Sequence, residues 1–135
     1  MSIHLEDNHL LNSQQMEVAV NGPDGATHLI LCTGVANLGC TDHDESYTFL
    51  VGPQISRRQF VGAIASAGLS SIQASENAPS GEGYKIQLRA DLVSIDANYD
   101  DETGQVKVKA EVSSCLSMKE LAISYNVSIL AEMPN

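Results

Sequence analysis

Cys40-Thr41-Asp42-His43-Asp44-Glu45 is the densest run of chemically capable side chains in this 135-residue chain, and Cys32 lies eight residues before it. Thiol, imidazole and carboxylate together are a zinc-type ligand set, which makes Cys32, Cys40 and His43 the candidate metal ligands. Their spacing matches no standard pattern. There is no C-x-x-C and no second pair nearby, and a solvated acidic turn accounts for the same residues. Cys40 and His43, three apart in a loop, could also form a thiol–imidazole pair for nucleophilic chemistry. His43, Asp42 and Cys40 are therefore the candidate catalytic residues, although no oxyanion-hole or orienting motif accompanies them. Two aspartates beside His43 favour the imidazolium form, which points to pH sensitivity rather than turnover.

Asp96-x-Asn98-x-Asp100 begins like a calcium-binding loop but fails at the two positions that define one. Asp101 stands where glycine is needed and Lys107 where a bidentate glutamate is needed. A polar strand edge running into a hairpin fits these residues better. Arg57 and Arg58 could hold an anion at a helix N-terminus, or pair with the acidic first segment, and the pairing role is preferred. The chain has no Walker loop, G-x-G-x-x-G, G-x-S-x-G or H-E-x-x-H motif, and no cofactor is implied.

Charge is unevenly placed. Residues 1–56 hold no Lys or Arg, but hold Glu6, Asp7, Glu17, Asp24, Asp42, Asp44 and Glu45 together with every histidine (His4, His9, His28, His43). The net charge of −10 gives phosphate-driven nucleic-acid binding and anionic membranes the wrong electrostatic sign. A basic protein is a candidate partner. The three cysteines (Cys32, Cys40, Cys115) cannot all be paired within the chain, and a reducing cytoplasm with free thiols is the expected setting. Asn126-Val127-Ser128 fits a glycosylation acceptor, but falls in an expected strand.

Ser56-Arg57-Arg58-Gln59-Phe60-Val61 bears on the compartment. It resembles a twin-arginine export signal, but 55 residues precede it, a net acidic stretch that contains strand-like segments. It also reads as a helix start. Ser56 and Gln59 form a capping box, Ile55 and Phe60 a hydrophobic staple, and Pro53 blocks an earlier beginning. Phe60, Ile64, Ala67, Gly68 and Ile72 then recur at helical spacing. A helix over about 57–74 is expected, and with it a cytoplasmic protein.

The elements around these residues follow from alternation and turn chemistry. Residues 1–14 fit a short strand or a loose helix equally. Met16–Val20 and Ala26–Thr33 flank the turn residues Asn21-Gly22-Pro23-Asp24-Gly25 and predict a hairpin. Gly34–Glu45 is expected as a loop that can hold a short strand around Val35-Ala36, Tyr47–Val51 as a strand ended by Gly52-Pro53, and Glu76–Gly83 as a mobile loop. Tyr84 to Tyr99 alternates with one phase slip near Leu92-Val93, the signature of a β-bulge. The strand returning after Asp100–Gly104 sets Tyr99 across from Val106, Ala97 from Val108, Ile95 from Ala110 and Asp96 from Lys109. Leu121–Ile129 completes a three-stranded meander whose apolar face needs a cover, which the helix would supply.

These observations predict one α+β domain over 1–135, with about six mostly antiparallel strands in the order β-β-β-α-β-β-β and a single helix on the apolar face. With no catalytic motif and few aromatics to line a pocket, a non-enzymatic binding or assembly module that self-associates is the leading expectation. The partner expected is a second copy, with neither nucleic acid nor membrane involved. The alternative is a small enzyme or ligand binder with a pocket between helix and sheet, using the Asp42-His43-Asp44 loop.

Overall fold

Alternation at period two, and not the helical period, organises every long element among the described residues. The computed structural model describes residues 2–22, 25–41, 45–74, 93–112 and 118–133. Among the described residues there are eight strands: β1 (Ser2–His4), β2 (Leu10–Gly22), β3 (Gly25–Thr41), β4 (Glu45–Val51), β5 (Phe60–Ala74), β6 (Val93–Asp100), β7 (Gln105–Val112) and β8 (Met118–Met133). A single 3-10 turn, Asp7–His9, joins β1 to β2. Among the described residues no helix is long and apolar enough to cross a membrane.

The strands sort into two four-stranded sheets by length. The long strands make one sheet, in the order β2-β3-β8-β5, and the shorter ones make the other, β1-β4-β7-β6. Apart from the parallel β1–β4 pair, every pairing among the described strands is antiparallel. The inner faces share one core. Ile30, Ala36, Leu121, Ile123, Val127 and Ile129 of the long sheet meet Tyr47, Phe49, Val106, Val108 and Ala110 of the short one, all essentially inaccessible. Phe49 and Tyr125 bridge the sheets, with ring centroids 5.0 Å apart.

The expected helix is a strand, so the α+β expectation is overturned in favour of a nearly all-β sandwich. The local signal at Ser56 is real but marks only one turn. Ser56 N–H donates to Gln59 Oε1 at 2.9 Å, and Gln59 N–H returns to Ser56 O at 3.0 Å. From Phe60 the backbone extends and pairs with β8, from Phe60↔Ala131 to Ala74↔Met118. Gly62, Gly68 and the run of serines are poor helix formers. The same small residues also satisfy a period of two, with Ala63, Ala65 and Ala67 inward and Gly62, Ile64, Ser66 and Gly68 outward.

Three further expectations change. The segment expected as a loop from Gly34 continues β3 to Thr41, bending through register shifts at Gly39, whose φ of +69° suits glycine. The last strand does not complete a meander beside β7, because β8 lies between β3 and β5 in the other sheet. The cover over the apolar face of β6 and β7 is therefore the long sheet, and not a helix. The Val93–Asp100 and Gln105–Val112 hairpin keeps the expected register, including Asp96↔Lys109, and the β2–β3 hairpin forms as expected. The slip near Leu92-Val93 and the 76–83 loop fall outside or at the margin of the described residues.

Candidate functional site

The sequence-derived candidates are dispersed. Asp42, His43, Asp44 and Cys115 lie outside the described residues, and Cys40 falls near the end of β3. Cys32 is a free thiol on the inner face of β3, only 5% exposed. Burial pushes its pKa up, so the thiol stays protonated and is a poor nucleophile. Among the described residues no three His, Cys, Asp or Glu side chains gather to hold a metal ion.

The calcium-like triad is occupied by its own strand neighbours. Asp96 and Asn98 face Lys109 and Lys107 across β6–β7. Asp100 accepts a hydrogen bond from Thr103 Oγ1 at 2.7 Å and lies 3.6 Å from Lys107 Nζ. The Thr103 hydroxyl, helped by Lys107, holds the Asp100 carboxyl below its ordinary range. Among the described residues Arg57 pairs with no acid of the N-terminal segment. It pairs with Asp101 at 3.5 Å and lies over the Tyr99 ring, 5.4 Å from its centroid. Tyr99 in turn donates its hydroxyl to Ile55 O at 2.7 Å, tying the segment after β4 to β6.

Two features that the motif reading did not isolate stand out. The first is a bulge with a cavity beneath it. Leu11 pairs with Val35 and Gln14 with Thr33, so Asn12 and Ser13 together oppose Gly34. Asn12 takes a left-handed φ of +55°, one that asparagine tolerates better than most residues. Gly34 pairs on its other side with Tyr125, which pairs with Ala67. A Cβ on Gly34 would fall 2.5 Å from the Tyr125 hydroxyl, so the missing side chain is what lets that ring lie across β3. The tyrosine hydroxyl reaches Ser13 Oγ at only 3.4 Å, too long to occupy either group fully.

Ser13 and Tyr125 line an open cavity of about 450 Å³ between the start of β2, the end of β4 and the start of β7. Leu10, Leu50, Val51 and Cys32 supply apolar wall, and Asp7, Ser13, Gln14, Gln15 and Gln105 supply polar groups. Gln105 Nε2 donates to Gly52 O at 2.7 Å, which fixes one rim.

The second feature is the outer face of the long sheet. Register places Leu11, Gln14, Met16, Val18 and Val20 of β2 on the same side as Thr27, Leu29, Leu31, Thr33 and Val35 of β3. Ser124, Asn126, Ser128 and Leu130 of β8, then Gly62, Ile64, Ser66 and Gly68 of β5, continue that side. Met16 is 62% exposed, Val20 61% and Ile64 77%, although nothing charged stands among them. Glu132, opposite Thr27 at one end, is the nearest acid in these rows. The outer face of the short sheet is the reverse, carrying Asp96, Lys107, Lys109 and Glu111.

Compared with known proteins, the chain matches no family model, no curated sequence and no solved structure. The alternation of Met16, Val18 and Val20, set beside Leu29 and Leu31 across the turn, is the signal that could have located the apolar face. The cavity had no such signal, because it depends on a bulge whose register only the folded pairing fixes.

Proposed function

We propose that this chain is a non-enzymatic assembly module that associates with further copies of itself through the β2-β3-β8-β5 sheet. The observation that carries this is the outer face of that sheet, which holds no charge over Leu11–Val20, Leu29–Val35, Ser124–Leu130 and Gly62–Gly68 and ends at Glu132, on a molecule of net charge −10. Exposed contiguous apolar surface on a soluble protein marks an interaction site more often than chance placement does. Like-charged copies repel wherever acidic faces meet, and this face is where two copies approach with least repulsion. The protonated, buried Cys32 thiol is consistent with a binding role rather than nucleophilic catalysis.

Light scattering over a rising concentration series tests the proposal. The expected mass climbs above the 14.4 kDa of one chain and returns to it in Val18→Lys/Ile64→Lys, whose two positions are exposed. A wild-type mass of one chain at every concentration would sink it.

The cavity beneath the bulge favours a second reading, a small-ligand binder. Its volume falls in the range of small-molecule sites. Asp7 is its one ordinarily charged lining group among the described residues, so the ligand it suits is a neutral or cationic hydrogen-bonding molecule and not an anion.

A further inference from the structure

We infer that strand β2 pairs antiparallel with β2 of a second copy, across a two-fold axis at Val18, so that two four-stranded sheets become one of eight strands. This rests on the self-association reading, but specifies a different contact from face stacking.

The argument begins at the edges. Strand edges are ordinarily blunted by shortness, Lys, Pro, bulges or cover. Of the described edge strands, β1 has three residues, and β5 is turned toward β6 with Phe60 against Tyr99 at 5.3 Å. β2 has thirteen residues, no Lys and no Pro, and is bonded to β3 alone among the described strands. Every residue from Leu11 to Asn21 is exposed, on both faces of the strand. Its bulge lies at one end, which leaves Gln14–Gly22 regular.

The sequence of that regular segment selects a register. A two-fold axis perpendicular to the sheet keeps both outer faces on one side and pairs residues whose numbers have an even sum. A centre at Glu17 sets carboxylate against carboxylate, which directly opposed strands disfavour. A centre at Met16 drives the partner into the bulge at Asn12 and Ser13. A centre at Val18 pairs the whole regular segment with itself: Val18 with Val18, Met16 with Val20, Glu17 with Ala19, and Gln15 with Asn21. Apolar meets apolar on the outer face, and the one acid of the segment, already bonded to His28, meets a methyl group.

Cysteine scanning in a Cys40→Ser/Cys115→Ser background tests this, with Cys32 buried and out of reach. Directly opposed strand residues have the Cα separation that a disulfide needs. Under mild oxidation Val18→Cys should convert to a species of twice the 14.4 kDa mass, while Ile64→Cys on the outer face should not. Amide exchange in the unmutated protein should show β2 protection rising as the mass doubles. Crosslinking of Ile64→Cys, with Val18→Cys left uncrosslinked, would overturn the edge pairing while leaving self-association standing. A single-chain mass with unprotected β2 amides at every concentration would overturn both.

Discussion

Gly34→Ala probes the arrangement on which both the bulge and the cavity depend. The added Cβ would stand 2.5 Å from Tyr125 Oη, 2.7 Å from Cζ and 3.0 Å from Cε1. Unstrained carbon contacts lie near 3.5–4.0 Å, so the ring must retreat by about 1 Å. The ring itself is held, since Tyr125 is 3% exposed and packs on Phe49, and only its hydroxyl end borders the cavity. Overpacking of this kind costs about 1–3 kcal/mol. Gly34 is not among the glycines with positive φ. Alanine there therefore gains roughly 0.4–1 kcal/mol from a less free unfolded chain. The net loss expected is about 1–2 kcal/mol, a fall of roughly 4–7 °C in Tm for a chain of this length. Urea unfolding with an unchanged m-value is the assay, run in wild-type and Tyr125→Leu backgrounds. The smaller residue should remove most of the cost, because the clash is with the ring. A Gly34→Ala variant as stable as wild type, or equally destabilised in both backgrounds, would refute the account of why β3 carries glycine opposite the bulge.

Acid should loosen the β6–β7 turn. The folded Asp100 carboxyl titrates below its ordinary 3.8, so its contribution is complete above that value and is lost as pH falls through the lowered pKa; Thr103→Val should move that loss to higher pH, read by thermal melts between pH 2 and 5. Tyr99→Phe removes the hydroxyl donated to Ile55 O and should cost about 1 kcal/mol in urea unfolding, against no change if the 2.7 Å contact is incidental.

The parts of the fold legible in the sequence are those in which two independent signals agree. For β6 and β7 the apolar alternation and the Asp96–Lys109 charge pair demand the same register, and that register forms. For β2 and β3 the alternation flanks a dense turn, and for β4 the Gly52-Pro53 stop coincides with the end of the strand. For β5 the signals conflict. Ile64, Ala67, Gly68 and Ile72 are a helical stripe, and Ala63, Ala65 and Ala67 are a strand face; with side chains this small, neither periodicity excludes the other. What decides is a long-range partner. β8, at sixteen residues, matches β3 at seventeen and β5 at fifteen, and overhangs the eight of β7 by half its length. Length matching also draws β8 out of the expected meander. The site was less legible still. Chemistry-bearing residue types drew attention to Cys32 and the acidic run, whereas the exposed apolar rows are ordinary residues made unusual only by which face they share.

That shared face raises a question of closure. A strand of thirteen residues, bonded among the described strands to β3 alone and regular from Gln14 to Gly22, has the makings of an aggregation seed, because an extended chain can add to it. The net charge of −10 slows such encounters but does not remove the edge. Antiparallel pairing of β2 with its own copy does remove it, since an isologous contact uses the same patch on both partners and leaves none behind. The far edge of the long sheet is β5, turned toward β6 through Phe60 and Tyr99, so the proposed eight-stranded sheet would not continue to grow there. The placement of Glu17 fits the same logic. A charge at the centre of the segment would forbid the symmetric pair, whereas one residue away it opposes alanine and penalises the slipped register in which it would meet itself. In the proposed pair, a single acid, bonded to His28 and set off centre, would select one alignment of an otherwise permissive edge.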